Sequence, residues 1–194
     1  MNISHNSIAL IGTSADPPTC GHEALLRGLL TMFPKVITWA SNNPIKNHAA
    51  PLVIRHQLLK ALVDYINAPR LEVIQELSSP WTINTIKYAN NSWPEANLVF
   101  VIGSDLVEQL PTWREVTDIL KEVRIAIALR EGWPIKESQL KRLESLGGKI
   151  DLLPLKIPGF SSSTFRTKYN ISDIPQAILP LLIKQNLYGL AHNT

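Results

Sequence analysis

The order of apolar runs along the chain predicts an α/β fold, a parallel sheet with helices on both faces and a small C-terminal helical part. Three observations carry this. Short β-type runs alternate with longer helix-type runs over the whole length, as expected when each strand is followed by a crossover helix. The fourth β-type run, Asn97–Ile102 (NLVFVI), is almost uniformly apolar, which suits a strand covered on both faces. Turn residues punctuate the ends of the runs, with Gly12 and Gly103 each just after one.

Each element follows in order. Ile8–Ile11 is the first strand and stops at Gly12. His22–Phe33 places Leu25, Leu29 and Met32 on one helical face. Lys35–Ala40 is the second strand. Pro51–Ile66 is a helix, with Arg55, Leu58, Leu59, Leu62 and Ile66 at helical spacing. Leu71–Ile74 is the third strand, and Thr82–Asn91 a helix opened by Thr82. Asn97–Ile102 is the fourth strand, and helical segments follow it to Leu120. Arg124–Leu129 is the fifth strand and Lys136–Leu146 a helix. Ile150–Leu155 is a candidate sixth strand. Short helices near Ser162–Tyr169 and Pro175–Gln185 close the chain. No stretch reads as a linker, so one domain over residues 1–194 is expected, with Rossmann-like right-handed crossovers.

Composition narrows the function classes. With 45% hydrophobic and 18% charged residues the chain is ordinary for a globular protein. Net charge is +3 at pH 7, from 19 basic and 16 acidic side chains. The basic residues are scattered, so neither a nucleic-acid nor a membrane partner is expected. Cys20 is the single cysteine, which excludes an internal disulfide and argues against a Cys-based zinc site. No run approaches the length of a membrane span, and a cytoplasmic setting is expected. Oligomeric state leaves no mark in the pattern.

In an open parallel sheet, ligands bind beyond the carboxyl ends of the strands, near the point where strand order reverses. The segment after the first strand reads Gly12-Thr13-Ser14-Ala15-Asp16-Pro17-Pro18-Thr19-Cys20-Gly21-His22. It is neither a Walker-type loop nor a G-x-G-x-x-G turn. It nevertheless has the parts of an anion cradle. Gly12 permits close backbone approach, Thr13 and Ser14 offer hydroxyls, and Thr19, Gly21 and His22 stand at a helix start, whose free N–H groups attract anions. Far downstream, Phe160-Ser161-Ser162-Ser163-Thr164-Phe165-Arg166 sets small hydroxyls at another helix start, with an arginine fork one turn on.

The first stretch resembles the signature of the nucleotidylyltransferase superfamily, in which a G-T-F-D-P turn precedes an H/T-x-G-H motif. Thr19-Cys20-Gly21-His22 matches with threonine first. Three departures stand out: the turn is one residue longer counted from Gly12, its usual aromatic is missing, and Thr19 cannot carry the charge a histidine could. The serine cluster is similar to the I-S-S-T-x-I-R motif of the same family. Middle segments resemble the nicotinate-nucleotide adenylyltransferase branch. Asn43-Pro44-Ile45-Lys46 resembles its N-P-P-H-K loop, with an exposed loop lysine as the plain alternative for Lys46. Arg55 sits where the branch has a helix arginine, or is a surface residue. Pro80-Trp81-Thr82 with Thr85 resembles S-Y-T-x-x-T, with packing of Trp81 and capping by Thr82 as the plain alternatives. Gly103-Ser104-Asp105 resembles G-x-D, and Asp105 either accepts from ribose hydroxyls or caps a helix. Trp113 matches L-x-x-W, as a stacking platform or as core. Leu129-Arg130-Glu131-Gly132 resembles A-R-P-G.

The resemblance implies adenylyl transfer from ATP to nicotinate mononucleotide, with Mg²⁺ accompanying ATP. Its rivals are the same chemistry on nicotinamide mononucleotide or phosphopantetheine, and a nucleotide sensor without turnover. It implies His22 as phosphate donor, helped by the Thr19 hydroxyl, with Lys46 and Arg166 offsetting phosphate charge. Gly12, Thr13, Ser14, Arg55, Trp81, Thr82, Thr85, Gly103, Asp105, Trp113, Arg130, Ser162 and Ser163 are implied in substrate binding. The attacking phosphate monoester has a second pKa of about 6 and is mostly dianionic at neutral pH. Neither a general base nor a protein nucleophile is called for, and no metal-ligand cluster is expected.

Overall fold

Strand β1 (Ser7–Thr13) lies at the middle of a six-stranded sheet, and every pairing in that sheet is parallel. The computed structural model describes residues 3–192. The ends of the expected domain, Met1, Asn2, Asn193 and Thr194, lie outside the described residues. The other strands are β2 (Lys35–Ala40), β3 (Leu71–Val73), β4 (Asn97–Gly103), β5 (Arg124–Arg130) and β6 (Ile150–Ile157). Their spatial order is β3-β2-β1-β4-β5-β6, so the chain reverses direction across the sheet at β1. The helices are α1 (Cys20–Met32), α2 (Leu52–Ile66), α3 (Thr82–Ser92), α4 (Val116–Glu122), α5 (Glu137–Ser145), α6 (Ser162–Lys168) and α7 (Leu179–Lys184).

The strands are apolar on both sides because both sides are covered. In β4, Val99 and Val101 face one buried layer while Leu98, Phe100 and Ile102 face the other. The first layer gathers Leu25, Leu29 and Phe33 after α1, Leu58 and Leu62 of α2, and Phe165 of α6. The second gathers Ile83 and Ile86 of α3, Ile119 of α4 and Leu143 of α5. Burial of each such side chain stabilises the fold by about 1.5–3 kcal/mol.

The expected elements and the observed ones agree in kind and order, and the differences have local causes. The last helix begins at Leu179 rather than Pro175, with Pro180 in its first turn, where a missing N–H costs nothing. β6 carries Pro154 within it. This is tolerated because β6 is an edge strand, and its register against β5 shifts between Ile127 and Leu129. β6 runs two residues further than the apolar pattern suggested and delivers the Pro158–Ser161 segment to the ends of β1 and β5. Among the described residues no helix is long and apolar enough to cross a membrane.

Candidate active site

The carboxyl ends of β1, β2, β4, β5 and β6 meet around one cleft, and the two distant serine- and histidine-containing stretches close on each other there. Ser162 Oγ donates to Pro17 O at 2.8 Å. Arg166 Nη1 donates to the backbone oxygen of Asp16 and stands 3.3 Å from its carboxylate. Gly21 explains why α1 and the segment after β6 can touch. A Cβ at Gly21 would lie 2.8 Å from Phe160 O and 3.3 Å from Pro158 O. The glycine is required by a neighbouring backbone, not by its own dihedral angles.

His22 is fixed by its helix start. The Thr19 backbone N–H donates to His22 Nδ1 at 3.0 Å, so Nδ1 is the acceptor and the ring carries its proton on Nε2. Burial, then the nearby charges of Arg130 and Lys46, hold the imidazole pKa down at about 3. His22 is therefore a neutral donor. Thr19 itself is fully buried, with its hydroxyl 2.9 Å from His22 Nδ1 and 3.2 Å from Phe160 O. The expected hydrogen bond from Thr19 to phosphate gives way to this geometry. A side chain enclosed between the ring and a carbonyl orients His22 and joins the two motifs.

Asp16 is the centre of the turn, though the motif alone did not single it out. Its carboxylate is 1% exposed and accepts from Ala49 N (2.7 Å), Ala50 N (3.0 Å) and the Tyr188 hydroxyl (2.8 Å). His48 Nδ1 stands 3.7 Å from the same group. One carboxylate thus holds the β1 turn, the loop after β2, α6 and the C-terminal segment together. A buried carboxylate needs such company, since an unpaired one is strongly disfavoured.

Arg55 lies beneath that turn. It is 2% exposed, and its Nε and Nη1 donate to Ala50 O (3.1 Å), Ser14 O (2.7 Å) and Ser41 O (2.9 Å). The sequence suggested substrate contact or a surface place for Arg55. The structure gives it neither: it ties the β1 turn to the loop after β2 from below.

Lys46 stands at the front of the cleft, its Nζ 3.4 Å from Ser14 Oγ. Desolvation lowers its pKa; Asp105 pulls the other way, and Arg130 and Arg166 add to the lowering. Lys46, Arg130 and Arg166 therefore form one cationic cluster, and the charges of Arg130 and Lys46 help keep the neighbouring His22 neutral. Arg130 donates from Nη1 to Asp105 Oδ2 (3.0 Å) and from Nη2 to Phe160 O (2.7 Å), linking the ends of β4, β5 and β6. Its Nε is buried without a hydrogen-bond partner. Ser104 Oγ accepts from Arg130 N (2.9 Å) and donates to Trp133 O (2.7 Å). A Cβ at Gly103 would meet Asp105 Oδ1 at 2.3 Å, so a larger residue there would displace the Asp105 carboxylate. Asp105 thus reaches the cleft already paired with Arg130.

The remaining expected residues fall into two groups. Thr13 Oγ1 accepts from Ala15 N at 3.3 Å, inside the turn. Ser163 Oγ is exposed, 3.0 Å from Ser161 Oγ, whose oxygen caps α6 by accepting from Thr164 N. Thr82 opens α3 half-buried, and the Arg114 guanidinium lies 5.1 Å over the Trp81 ring. Trp113 is half-buried and meets Phe100 edge-on at 6.2 Å, and Phe100 in turn lies 6.2 Å from Trp39. One expectation changes. Thr85 is buried and donates to Leu77 O at 2.7 Å, which ties α3 to the preceding turn. Gly12 also makes room for Trp39, whose indole would lie 2.8 Å from a Cβ there.

Residues 10–168 match the family model described as cytidylyltransferase-like. A probable nicotinate-nucleotide adenylyltransferase of Synechocystis sp. is 32% identical over 196 residues, covering 93% of this chain and 98% of that protein. A second, from Aliarcobacter butzleri, is 30% identical over 179 residues, covering 88% of this chain and 92% of its own length. Among solved structures, the Plasmodium falciparum nicotinic acid mononucleotide adenylyltransferase complexed with NaAD superimposes with a TM-score of 0.79. At 24% identity, with 95% of this chain and 98% of that one covered, that likeness speaks to the fold alone.

Proposed function

The chain belongs to the cytidylyltransferase-like family and, within it, to the nicotinate-nucleotide adenylyltransferases, and from that premise we infer that it transfers the adenylyl group of ATP to nicotinate mononucleotide. The products are nicotinate adenine dinucleotide and pyrophosphate, an adenylation step of NAD synthesis. One observation supports this most. The His22 turn and the Ser162–Arg166 stretch, brought into contact across the sheet, present a shared cationic cleft with Lys46 and Arg130. Such a cleft suits a triphosphate at a topological switch point.

The chemistry needs little from the protein beyond position and charge. A phosphate oxygen of the mononucleotide attacks the α-phosphorus of ATP. The bond from that phosphorus to the bridging oxygen of the β-phosphate breaks, and pyrophosphate leaves with the electron pair. We assign His22 Nε2–H as donor to the phosphates; its neutral state keeps the proton on the ring. Lys46 and Arg166 offset charge on the departing pyrophosphate, and Ser14 and Ser162 line the same turn. Fixed donors aimed at developing charge supply much of the acceleration in reactions of this type.

Mg²⁺ is the metal we propose to accompany the triphosphate. Among the described residues no group of three or more His, Cys, Asp or Glu side chains gathers. Asp16 is enclosed by its own donors and Asp105 is paired with Arg130. This donor set fits an ion held by phosphate oxygens and water rather than by a protein cage. When bound, it would supply positive charge that offsets the charge on the phosphates. Trp81, Thr82 and Trp113 are assigned to the pyridine end, and a cytoplasmic setting completes the reading.

Pyrophosphate release is the test. With ATP and Mg²⁺, nicotinate mononucleotide should be the preferred acceptor over nicotinamide mononucleotide and phosphopantetheine. ATP binding without pyrophosphate from any of the three would identify a sensor instead. Preference for another acceptor would move the chain to that branch.

A further inference from the structure

Resting on the adenylyl-transfer reading, we propose that Tyr188, in the C-terminal segment, is a positioning residue for the reaction: its hydroxyl, bonded to Asp16, sets the guanidinium of Arg166 and the loop that carries Lys46. Asp16 Oδ1 has two donors, Ala50 N and the Tyr188 hydroxyl at 2.8 Å. Oδ2 takes Ala49 N and faces Arg166 Nη1 at 3.3 Å. The carboxylate cannot turn without disturbing both the loop and the arginine, and Tyr188 is the side chain that completes it opposite Arg166.

The tyrosine also braces Arg166 from behind. Its ring meets Phe165, the residue just before Arg166 in α6, edge-on at 6.1 Å. Phe165 is fully buried, so this contact fixes the helix face from which Arg166 projects. The backbone is bent to deliver the ring. Tyr188 has φ 57°, with Asn186 at 47° and Gly189 at 73°. A non-glycine residue is disfavoured in this region and persists where its surroundings hold it. Burial, then the Asp16 hydrogen bond, pushes the phenol pKa upward, so it stays a donor through the neutral and alkaline range. None of these contacts touches the cleft itself, so Tyr188 acts through Asp16 rather than on substrate.

The phosphate-binding side of the reaction should therefore respond, and the acceptor side should not. Tyr188→Phe keeps the ring and removes the hydroxyl. The expected result is a drop of about tenfold in kcat/KM for ATP, the size of one hydrogen bond to a charged group, with KM for nicotinate mononucleotide held within about twofold. The ATP dissociation constant measured by calorimetry should rise in parallel. Leu187→Ala is the comparison. Leu187 packs on the core in the same segment and makes no polar contact with Asp16, so it should lower Tm while leaving kcat/KM for ATP within about twofold. Equal ATP kinetics in wild type and Tyr188→Phe would overturn the proposal, as would the same ATP-specific loss in Leu187→Ala. If wild type releases no pyrophosphate with any acceptor, the reaction assignment falls, and the ATP dissociation constants of the two variants still decide the role of Tyr188.

Discussion

Ser162 and Pro17 stand 145 positions apart in the chain, yet the serine hydroxyl donates to the proline carbonyl at 2.8 Å. This bond lies where the helix start after β1 faces the helix start after β6. It exists because Gly21 lets the Phe160 carbonyl come within contact of α1. Gly21→Ala tests that dependence. The new methyl would stand 2.8 Å from a backbone oxygen, which cannot swing away as a side chain could. The two motifs should separate by several tenths of an ångström, with turnover falling tenfold to a hundredfold, about what small misplacements of catalytic groups cost. Wild-type turnover in Gly21→Ala would show that the contact between the motifs is not what the reaction needs.

His22→Ala should cut kcat by a factor of about 10² to 10³, the usual cost of removing one preorganised donor. The half-buried ring lines a small recess together with Ile11, Leu25 and Leu26, so a modest loss of Tm should accompany it. The cleft would keep Lys46, Arg130 and Arg166. ATP affinity should thus fall far less than kcat. Stopped-flow turnover and calorimetry separate the two, and near-normal turnover would remove His22 from its assigned role.

Arg55→Met separates positioning from contact. The substitution fills the space but abandons three carbonyls under the β1 turn. A buried acceptor left without its donor costs about 1–3 kcal/mol, so a loss of at least that size is expected. Urea denaturation should show that loss directly. Were Arg55 chiefly a substrate ligand, stability would be nearly unchanged and KM alone would rise.

The element order was legible because both faces of the sheet are covered, which makes strands such as Asn97–Gly103 continuously apolar and unmistakable. The two motifs and Lys46 were legible because glycine, hydroxyl and cationic residues cluster at strand and helix ends. The burial of Arg55 was not legible, because a motif position gives the residue type on the helix and not the three carbonyls that it meets. Thr19 and Thr85 were misread for a related reason: a hydroxyl at a helix start looks the same whether it meets a ligand or its own backbone. Tyr188 left no local signal. Its partner, Asp16, lies 172 positions away, and only the folded chain brings the two together.

His22 should stay neutral across the range in which most histidines titrate. An ordinary histidine gains its proton near pH 6.5. Here burial first, then Arg130 and Lys46, depress the pKa to about 3. The sign is that of a base whose charged form is disfavoured, so the folded protein resists protonation while the unfolded chain accepts it. Stability from this group is complete above about pH 6.5 and is lost as pH falls from there toward 3. The His22 ring resonance, assigned by its absence in His22→Ala, should not titrate between pH 5 and 8 in the free protein. Across the same range kcat/KM for the mononucleotide should rise along a single limb, with a midpoint near the substrate phosphate pKa of about 6. Because both substrates are anions, bound phosphate would raise the imidazole pKa, so the free-protein measurement is the discriminating one. A ring titration near pH 6.5 would mean that His22 enters the reaction as a cation, and the neutral-donor assignment would have to be abandoned.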